Sequence, residues 1–360
     1  MHALIAGVSG IVGNNLAALL VSKNWQVHGL ARKPQTGISG VQPVAANLLE
    51  PDDLRSALSG VNPTHVFITT WLRQATEAEN CAVNGAMVRN LLAALRSSGR
   101  LEHVALVTGL KHYLGPFEAY AKEKPETPFR EEMPRLAVEN FYYTQEDAVF
   151  EEARRRGFAW SVHRPHTIIG YALGNAMNMG VTLAVYAAIC RETGQPFIFP
   201  GSVQQWESLT DVTDARILAR HLEWAATSEA GRDQAFNVVN GDIFRWKWLW
   251  PKLAANFGIE AAPYPGRPSP LEPQLAAAGS VWAGIAAKYG LAEPDLSKLA
   301  SAWHTDMDLG REMEVVTDMT KSRLAGFNAY QPTLGSFLDL FARLRVERII
   351  PADRSKKDSA

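Results

Sequence analysis

Two adjacent tyrosines near the middle of the chain have the side chains needed for proton chemistry. They lie in NFYYTQED, from Asn140 to Asp147, which reads as the start of a helix. A phenol that acts on a substrate oxygen needs a nearby cation, and one helical turn would supply it from a lysine four residues on. Four residues after Tyr142 the chain has Glu146, and four after Tyr143 it has Asp147. Either the site is inactive or the cation comes from another segment.

One literal Tyr-x-x-x-Lys does occur upstream, at Tyr120 and Lys124, with Thr108 twelve residues before it. Pro125 and Pro128 follow at once. Because proline disfavours helix both at its own position and at the residue before it, we do not expect a helix that presents this pair on one face.

A better source of the cation is TGLKHYLGPFE, from Thr108 to Glu118. It follows the apolar run HVALVTG, so it begins at the carboxyl end of a predicted strand. Lys111 lies three residues beyond that end. Its flexible stem allows the ammonium to approach Tyr142 from the other side of a pocket. We therefore predict that Lys111 and Tyr142 act together.

A glycine-rich turn follows the first apolar strand. GVSGIVG places Gly7, Gly10 and Gly13 between that strand and a helix. Glycines permit a tight turn and let the backbone approach a pyrophosphate, whose charge is favoured at a helix N-terminus. The pattern predicts a dinucleotide site; a strand-to-helix turn without a ligand is the alternative.

The end of the second strand favours one form of the cofactor. An NAD site needs an acidic residue there, but the chain has Arg32 and Lys33. Two cations suit a 2′-phosphate and indicate NADP(H), whereas the alternative is a solvated basic loop. Asn47 and Leu48, after the third strand, are predicted to lie beside the adenine.

The alternation of apolar strands with helical stretches predicts an α/β protein, a Rossmann-type doubly wound parallel sheet with a smaller C-terminal substrate-capping region. The cap is expected over the carboxyl ends of the strands, where ligands bind in such folds. The predicted division is a core at 1–170 with further core elements near 204–242, a cap at 171–203 and 243–350, and a disordered tail at 351–360.

Composition excludes several classes of function. The 360 residues carry a net charge of −1, which favours neither nucleic acid nor an anionic membrane. Cys81 and Cys190 match no metal spacing, so no metal is expected, and two thiols in so long a chain fit a reducing compartment. No leader-like segment or long apolar run is visible, so we expect a cytoplasmic protein. The oligomeric state is not readable, and a homodimer stays open.

Further motifs carry a family resemblance. RPHTIIG, DVTDA and FNVVNG resemble the extended short-chain dehydrogenases/reductases. TGLKHYLGPFE, NFYYTQED, SVHRP, MNMGVTLAVYAAIC and AFNVVNGDIFRWKWLW, in this order, resemble the progesterone 5β-reductase/iridoid synthase-like (PRISE) family. The likeness extends from the glycine loop to about residue 255.

The resemblance implies an NADPH-dependent reductase of the activated C=C bond of small apolar enones. In that family hydride reaches the β-carbon, and a tyrosine and a lysine stabilise the enolate; the matching residues here are Tyr142 and Lys111. His112 and Tyr113 are interpreted as loop packing.

The same resemblance, with the motifs above, gives a set of ligand-binding residues. The predicted cofactor-binding residues are Gly7, Ser9, Gly10, Ile11, Gly13, Arg32, Lys33, Asn47, Leu48, Thr70, Trp71, Val107, Tyr142, Ile168, Asn175, Ala176 and Met177. The predicted substrate-binding residues are Trp71, Phe117, Tyr142 and Met177; for Trp71, Phe117 and Met177 the alternative is core packing.

The chain departs from the family pattern at three places. Asn47 stands where the family usually has Asp, and His166-Thr167 replaces Gly-Asn beside the nicotinamide. An imidazole there would reshape the pocket or donate a proton. The loop from Leu173 to Asn175 also differs, so a preference for steroids does not follow.

Two other functions stay open at this point. A carbonyl reductase or alcohol dehydrogenase would use the same cofactor, with Tyr142 as proton donor. An NADPH-binding regulator without turnover is the second, although the presence of both Lys111 and Tyr142 argues against it.

Overall fold

The computed structural model describes residues 1–96, 101–116, 119–120, 122–172 and 174–352. The strands are β1 His2–Ala6, β2 Gln26–Ala31, β3 Val41–Ala45, β4 His65–Ile68, β5 His103–Val107, β6 Ala159–Pro165, β7 Ile168–Ile169, β8 Thr213–Asp214 and β9 Gln234–Val238. The helices are α1 Ile11–Ser22, α2 Pro51–Ala57, α3 Glu77–Ala94, α4 Lys111–Leu114, α5 Phe141–Arg156, α6 Met179–Thr193, α7 Val203–Glu207, α8 Ala215–Thr227, α9 Trp246–Asn256, α10 Leu271–Leu275, α11 Gly279–Tyr289, α12 Ala302–Leu309, α13 Thr320–Leu324 and α14 Thr333–Val346.

Seven strands form one parallel sheet in the order β3-β2-β1-β4-β5-β6-β9. Its central strands are apolar on both faces, as in β1, where Ala3 to Ala6 are completely buried. Sequences of this kind suit a parallel sheet covered by helices on each side. The predicted α/β Rossmann-type class is confirmed. The strand order reverses between β1 and β4, the place where such sheets bind ligands.

The chain divides into two compact units. Unit 1 contains Met1–His166, Ala215–Val239 and Thr317–Tyr330, and so it holds the seven-stranded sheet. Unit 2 contains Thr167–Asp214, Asn240–Val316 and the residues from Gln331 onward. Segment 317–330 belongs to unit 1 and segment 204–214 to unit 2, whereas the sequence-based division places the first in the cap and the second in the core. The substrate-capping role of unit 2 stays a prediction.

Each unit has its own hydrophobic core. In unit 1, Leu4, Val66 and Leu106 of the sheet pack with residues of α3 and α5. The core of unit 2 is rich in aromatic rings, and Phe197 and Trp250 stack with ring centres 4.1 Å apart. Most of the tryptophans in the second half of the chain therefore stabilise packing.

The structure differs locally from the sequence-based elements. The proline-rich segment after α9 contains the short helix α10, Leu271–Leu275, which is separate from α11, Gly279–Tyr289. The expected disordered tail lies almost entirely outside the described residues. Among the helices that the structure describes, none is both long and apolar enough to cross a bilayer.

Candidate active site

The glycine loop between β1 and α1 requires its glycines for steric reasons. Gly7 has φ +91°, a conformation that L side chains rarely adopt, and a Cβ there would lie 2.7 Å from the Cβ of Thr70. A Cβ on Gly13 would overlap the Gly7 carbonyl. The Gly10 N–H donates to the same carbonyl at 2.9 Å. The loop thus brings α1 close to the ends of β1 and β4.

The N-terminus of α1 has the features of an anion site. Gly10 is its N-cap, no side chain caps the helix, and its first turn contains no acidic residue. The first turn itself therefore supplies no negative charge to the positive end of the helix dipole. Ser9 is half-buried and Ile11 is buried beside it. These residues fit the pyrophosphate of a dinucleotide.

The predicted adenine-side residues lie at the ends of β2 and β3. Arg32 and Lys33 follow β2 directly, and both are exposed. Asn47 forms a local turn, in which its Oδ1 accepts from Leu49 N at 3.2 Å. The Leu48 side chain is buried in the core of unit 1, so any cofactor contact at Leu48 would use its edge or its backbone.

Trp71 and Tyr142 contact the same aromatic ring. The half-buried Trp71 stacks on Phe141 with ring centres 5.4 Å apart, and the Phe141 and Tyr142 centres are 4.4 Å apart. Val107 ends β5. The structure therefore places the end of β4, the end of β5 and the start of α5 around one region at the carboxyl edge of the sheet.

The phenol oxygen of Tyr142 lies over the end of β5. A Cβ built on Gly109 would be 3.3 Å from Tyr142 Oη and 3.3 Å from the carbonyl oxygen of Pro165, the last residue of β6. Tyr142 is 8% exposed. The tyrosine thus occupies the strand edge at which the Rossmann fold presents ligands.

Lys111 is the first residue of α4 and lies two residues beyond Gly109. Its side chain is buried, and Nζ lies 5.3 Å from the ring centre of Tyr120. A cation at this distance from a phenol ring is attracted by the π face. The ammonium is thus retained at the sheet edge instead of extending into solvent.

The upstream Tyr120 and Lys124 do not form a helical pair. Tyr120 lies in a turn and Lys124 is exposed, and the described residues between 119 and 140 contain no helix. The prolines explain this, as expected from the sequence.

The two adjacent tyrosines have different environments. Tyr143 Oη donates to the carbonyl oxygen of His112 at 2.7 Å and accepts from Leu136 N at 3.0 Å. Its donor and one acceptor site are therefore engaged with the backbone. This leaves Tyr142 as the better candidate for acting on a substrate oxygen.

Glu146 stands at the position expected of the helical lysine. Its Oε2 accepts from Arg135 Nη2 at 2.7 Å, and its Oε1 lies 3.6 Å from Arg164 Nη2. The carboxylate side chain is only 2% exposed. A lysine here would bring a third cation against two guanidinium groups, so the surroundings require an anion.

The histidine and tyrosine after Lys111 are both neutral at neutral pH and are poor proton donors to a substrate. Burial, with the nearby Arg164 guanidinium, lowers the pKa of His112 to about 3. Burial raises the pKa of Tyr113 to about 12, and its hydroxyl donates to Asn237 Oδ1 at 2.7 Å. Both observations agree with their interpretation as loop packing.

The remaining predicted site residues belong to unit 2 or are not described. Ile168 is in β7; Asn175 and Ala176 are half-buried and Met177 is exposed, in the segment before α6. Phe117 and Leu173 lie outside the described residues. Contacts of these residues with cofactor or substrate stay predictions.

The second departure from the family pattern, His166-Thr167, spans the boundary of the two units. His166 is buried at the end of unit 1. In unit 2, Thr167 Oγ1 donates to Asp308 Oδ2 at 2.7 Å. The Thr167 hydroxyl is thus directed at a carboxylate of its own unit.

Sequence reasoning missed two residues that support the tyrosine helix. Asn140 is the N-cap of α5 and also contacts the Lys111 backbone, and Glu77 of α3 accepts from Phe141 N at 2.7 Å. An Asn before a helix is a recognisable N-cap signal. Its second bond and the Glu77 contact join distant parts of the chain, and no local pattern reveals them.

The fold defines the class of protein. A short-chain dehydrogenase/reductase superfamily protein of Agrobacterium tumefaciens, solved with bound NAD, superposes with a TM-score of 0.64 at 16% identity, over 97% of this chain and 98% of that one. A likeness at this identity concerns the fold alone, which is of the Rossmann type.

The sequence comparisons define the family. Residues 52–351 match the model of the PRISE-like Rossmann-fold domain. An (S)-8-oxocitronellyl enol synthase of Nepeta racemosa is 39% identical over 97% of this chain and 93% of its own length. A 3-oxo-Δ(4,5)-steroid 5β-reductase of Arabidopsis thaliana is also 39% identical, over 97% and 93%. This chain belongs to the PRISE-like family, and the resemblance noted from its motifs is confirmed.

Proposed function

We propose that this protein catalyses the NADPH-dependent reduction of the activated C=C bond of enones. The observation that carries the proposal is the pair at the β5 edge: the buried Lys111 ammonium and the Tyr142 phenol over Gly109. They supply a cation and a hydrogen-bond donor without a helical Tyr-x-x-x-Lys.

The residues at the carboxyl edge fit the implied cofactor. The loop of Gly7, Gly10 and Gly13 and the N-terminus of α1 would hold the pyrophosphate. Arg32 and Lys33 would hold a 2′-phosphate, which favours NADPH over NADH. When bound, NADPH supplies the hydride that adds to the β-carbon of the enone.

The chain's own residues stabilise the charge that develops on the substrate. Tyr142 Oη donates a hydrogen bond to the carbonyl oxygen, and that bond strengthens as the oxygen becomes an enolate. The Lys111 ammonium stabilises negative charge shared between the enolate and the phenol. Solvent then protonates the α-carbon, so no second protein acid is required, and neutral His112 is not needed as one.

The names of the two relatives support an enone as substrate. A 3-oxo-Δ(4,5)-steroid contains a C=C bond conjugated to a ketone, and an enol is the protonated form of the enolate described above. Trp71, half-buried beside Phe141, is proposed as an apolar wall for such a substrate, with Met177 and Phe117 as further candidates.

The test compares an enone with its saturated ketone. Purified protein is given NADPH with a cyclic enone, with a 3-oxo-Δ4 steroid, or with the matched saturated ketones, and cofactor oxidation and product mass are followed. We expect oxidation only with enones and a product heavier by two hydrogens with its carbonyl retained. Reduction of the saturated ketones would indicate a carbonyl reductase. Tight NADPH binding without turnover of any enone would indicate a regulator.

A further inference from the structure

We propose that Asn140 is a positioning residue that sets where Lys111 stands relative to Tyr142. The inference rests on the proposed function, because it assigns a role to the residue that links the two proposed catalytic groups. It concerns the side-chain amide of Asn140, which is almost completely buried at 2% exposure.

The Asn140 amide hydrogen-bonds the backbone of both residues. Its Oδ1 accepts from Tyr142 N at 3.0 Å, and its Nδ2 donates to the Lys111 carbonyl oxygen at 2.8 Å. Because Tyr142 N–H is a donor and the Lys111 carbonyl is an acceptor, only one orientation of the amide satisfies both.

The chemistry of the position selects asparagine. Asp, Ser and Thr cap helices about as well as Asn, since each offers an oxygen to the first turn. A planar amide has a donor and an acceptor on separate atoms, so it can bond two backbone groups at once. Ser and Thr have a single hydroxyl oxygen for both roles, and ionised Asp has no donor. A cap that also holds the Lys111 carbonyl therefore needs the amide of Asn140.

Helix α4 depends on this support. It has a single turn, Lys111–Leu114, and helices of that length are not stable by themselves. The first turn of α5 fastens two successive carbonyls of α4, since Asn140 donates to Lys111 O and Tyr143 Oη donates to His112 O. The backbone of Lys111 in α4 is thus held in place by hydrogen bonds from α5, the helix that contains Tyr142.

A second clamp fixes the start of α5. Glu77 Oε1 accepts from Phe141 N at 2.7 Å, and its Oε2 accepts from Asn80 Nδ2 at 3.1 Å. The buried carboxylate satisfies an amide of the first turn at the positive end of the helix dipole. Glu77 of α3 thus fixes the N-terminus of α5, and Asn140 bonds the Lys111 backbone to that N-terminus.

The test uses Asn140→Asp, which keeps a helix cap and removes the donor to Lys111, and Asn140→Ser, which keeps a cap but has one short hydroxyl in place of the two ends of the amide. With an enone at saturating NADPH we expect kcat to fall roughly 10- to 100-fold, the effect of a displacement of about 1 Å at a reacting group. The NADPH dissociation constant should stay near that of the wild type, and the melting temperature should fall modestly because a buried hydrogen bond is lost. The pH profile of kcat should shift because the ammonium no longer sits at its distance from the phenol.

A matched control is Gln205→Glu. Gln205 is as buried as Asn140, at 2% exposure, and its Nε2 also donates to a distant backbone carbonyl, that of Met313, at 2.7 Å. Gln205 and Met313 both belong to unit 2, whereas α4 belongs to unit 1. We expect the kcat of this variant at saturating NADPH and its pH profile to equal those of the wild type. Equal losses in the Asn140 and Gln205 variants would overturn the positioning role.

A readout without turnover separates this inference from the proposed function. Hydrogen exchange in Asn140→Asp should speed up in residues 109–116 while residues 141–156 keep their protection. If exchange is faster in Asn140→Asp but the wild-type protein reduces no enone, the bond from Asn140 to Lys111 is supported and the proposed function is rejected. Two results would overturn the positioning role. In the first, Asn140→Asp has the hydrogen exchange, kcat and pH profile of the wild type. In the second, the variant loses cofactor binding and melting temperature in parallel.

Discussion

At the scale of single residues, neighbouring groups decide what two identical side chains do. Tyr142 and Tyr143 are adjacent, but Tyr143 Oη bonds the His112 carbonyl and the Leu136 amide. Tyr142 Oη instead lies over Gly109 at the end of β5. The Tyr142 phenol thus lies at the strand edge where such folds bind ligands, whereas the Tyr143 phenol, bonded to two backbone groups, stabilises the fold.

Tyr142→Phe is expected to remove most enone reduction while cofactor affinity stays unchanged. The phenyl ring keeps the packing on Phe141, but the donor to the developing enolate is lost, which costs roughly 10²- to 10³-fold in kcat. Steady-state kinetics and NADPH titration measure both quantities. An unchanged kcat would remove the role assigned to Tyr142.

Tyr143→Phe is the matched control for that variant. It deletes the bonds to His112 and Leu136, so we expect a loss of about 1–3 kcal/mol in the free energy of unfolding, because buried backbone groups lose their partner. Its kcat should fall less than that of Tyr142→Phe.

Arg32→Ala is expected to weaken NADPH binding much more than NADH binding. A charge-assisted bond to a 2′-phosphate contributes about 1.5–3 kcal/mol, or roughly 10- to 150-fold in the dissociation constant. NADH lacks that phosphate and serves as the internal control. Equal weakening of both cofactors would indicate a folding defect instead.

At the scale of elements, the helix α5 is adapted to an acidic residue where a lysine was expected. Glu146 is buried between Arg135 and Arg164, and Arg164 comes from β6. The carboxylate therefore joins the tyrosine helix to the sheet. The cation of the site comes instead from α4, which Asn140 and Tyr143 fasten to the same helix.

Glu146→Lys restores Tyr-x-x-x-Lys but should not restore or raise activity. The new ammonium would face two guanidinium groups in a buried position, so we expect a loss of about 3–5 kcal/mol in the free energy of unfolding. Asp147→Lys is the control, because Asp147 is exposed and its bond to Arg135 should cost no more than about 1 kcal/mol. Denaturant unfolding distinguishes the two, and a stable, faster Glu146→Lys enzyme would contradict this account.

Elements were more predictable from sequence than the contacts between them. The glycine loop and the strand-helix alternation are local patterns, and they predicted the fold class. The bonds that organise the site are not local: Asn140 reaches back 29 residues to Lys111, and Glu77 reaches 64 residues to Phe141. Nor could the sequence indicate that Arg164 would face Glu146, because only the packing of α5 on β6 brings them together.

At the scale of the whole molecule, a chain of buried hydrogen bonds crosses unit 1. His103 bonds Ser161 Oγ at 2.8 Å, Ser161 bonds His163 at 2.9 Å, and His163 bonds His221 at 2.9 Å. His221 in turn bonds Ser322 Oγ at 3.0 Å, and Ser322 lies in the segment that returns to unit 1. Burial lowers the pKa of His103 and of His221 to about 3, and that of His163 well below its usual value.

These histidines predict how stability depends on pH. Their pKa values are lower in the folded chain than the value near 6.5 of an unfolded one, so the unfolded state binds more protons below that pH. Stability from the neutral rings is fully present above about pH 6.5 and falls as the pH decreases toward 3. Between about pH 6.5 and 5 most carboxylates are still ionised, so the histidines dominate there. Urea midpoints across this window should decrease steadily with falling pH, and a flat profile would contradict the buried neutral chain.

The most direct test of the central claim is a crystal structure with NADP⁺ and a bound enone. The account predicts the substrate carbonyl oxygen within hydrogen-bond distance of Tyr142 Oη, about 2.7 Å, with the Lys111 ammonium on the same side of the pocket. A carbonyl oxygen held by other groups, with Lys111 directed into solvent, would contradict the proposed mechanism.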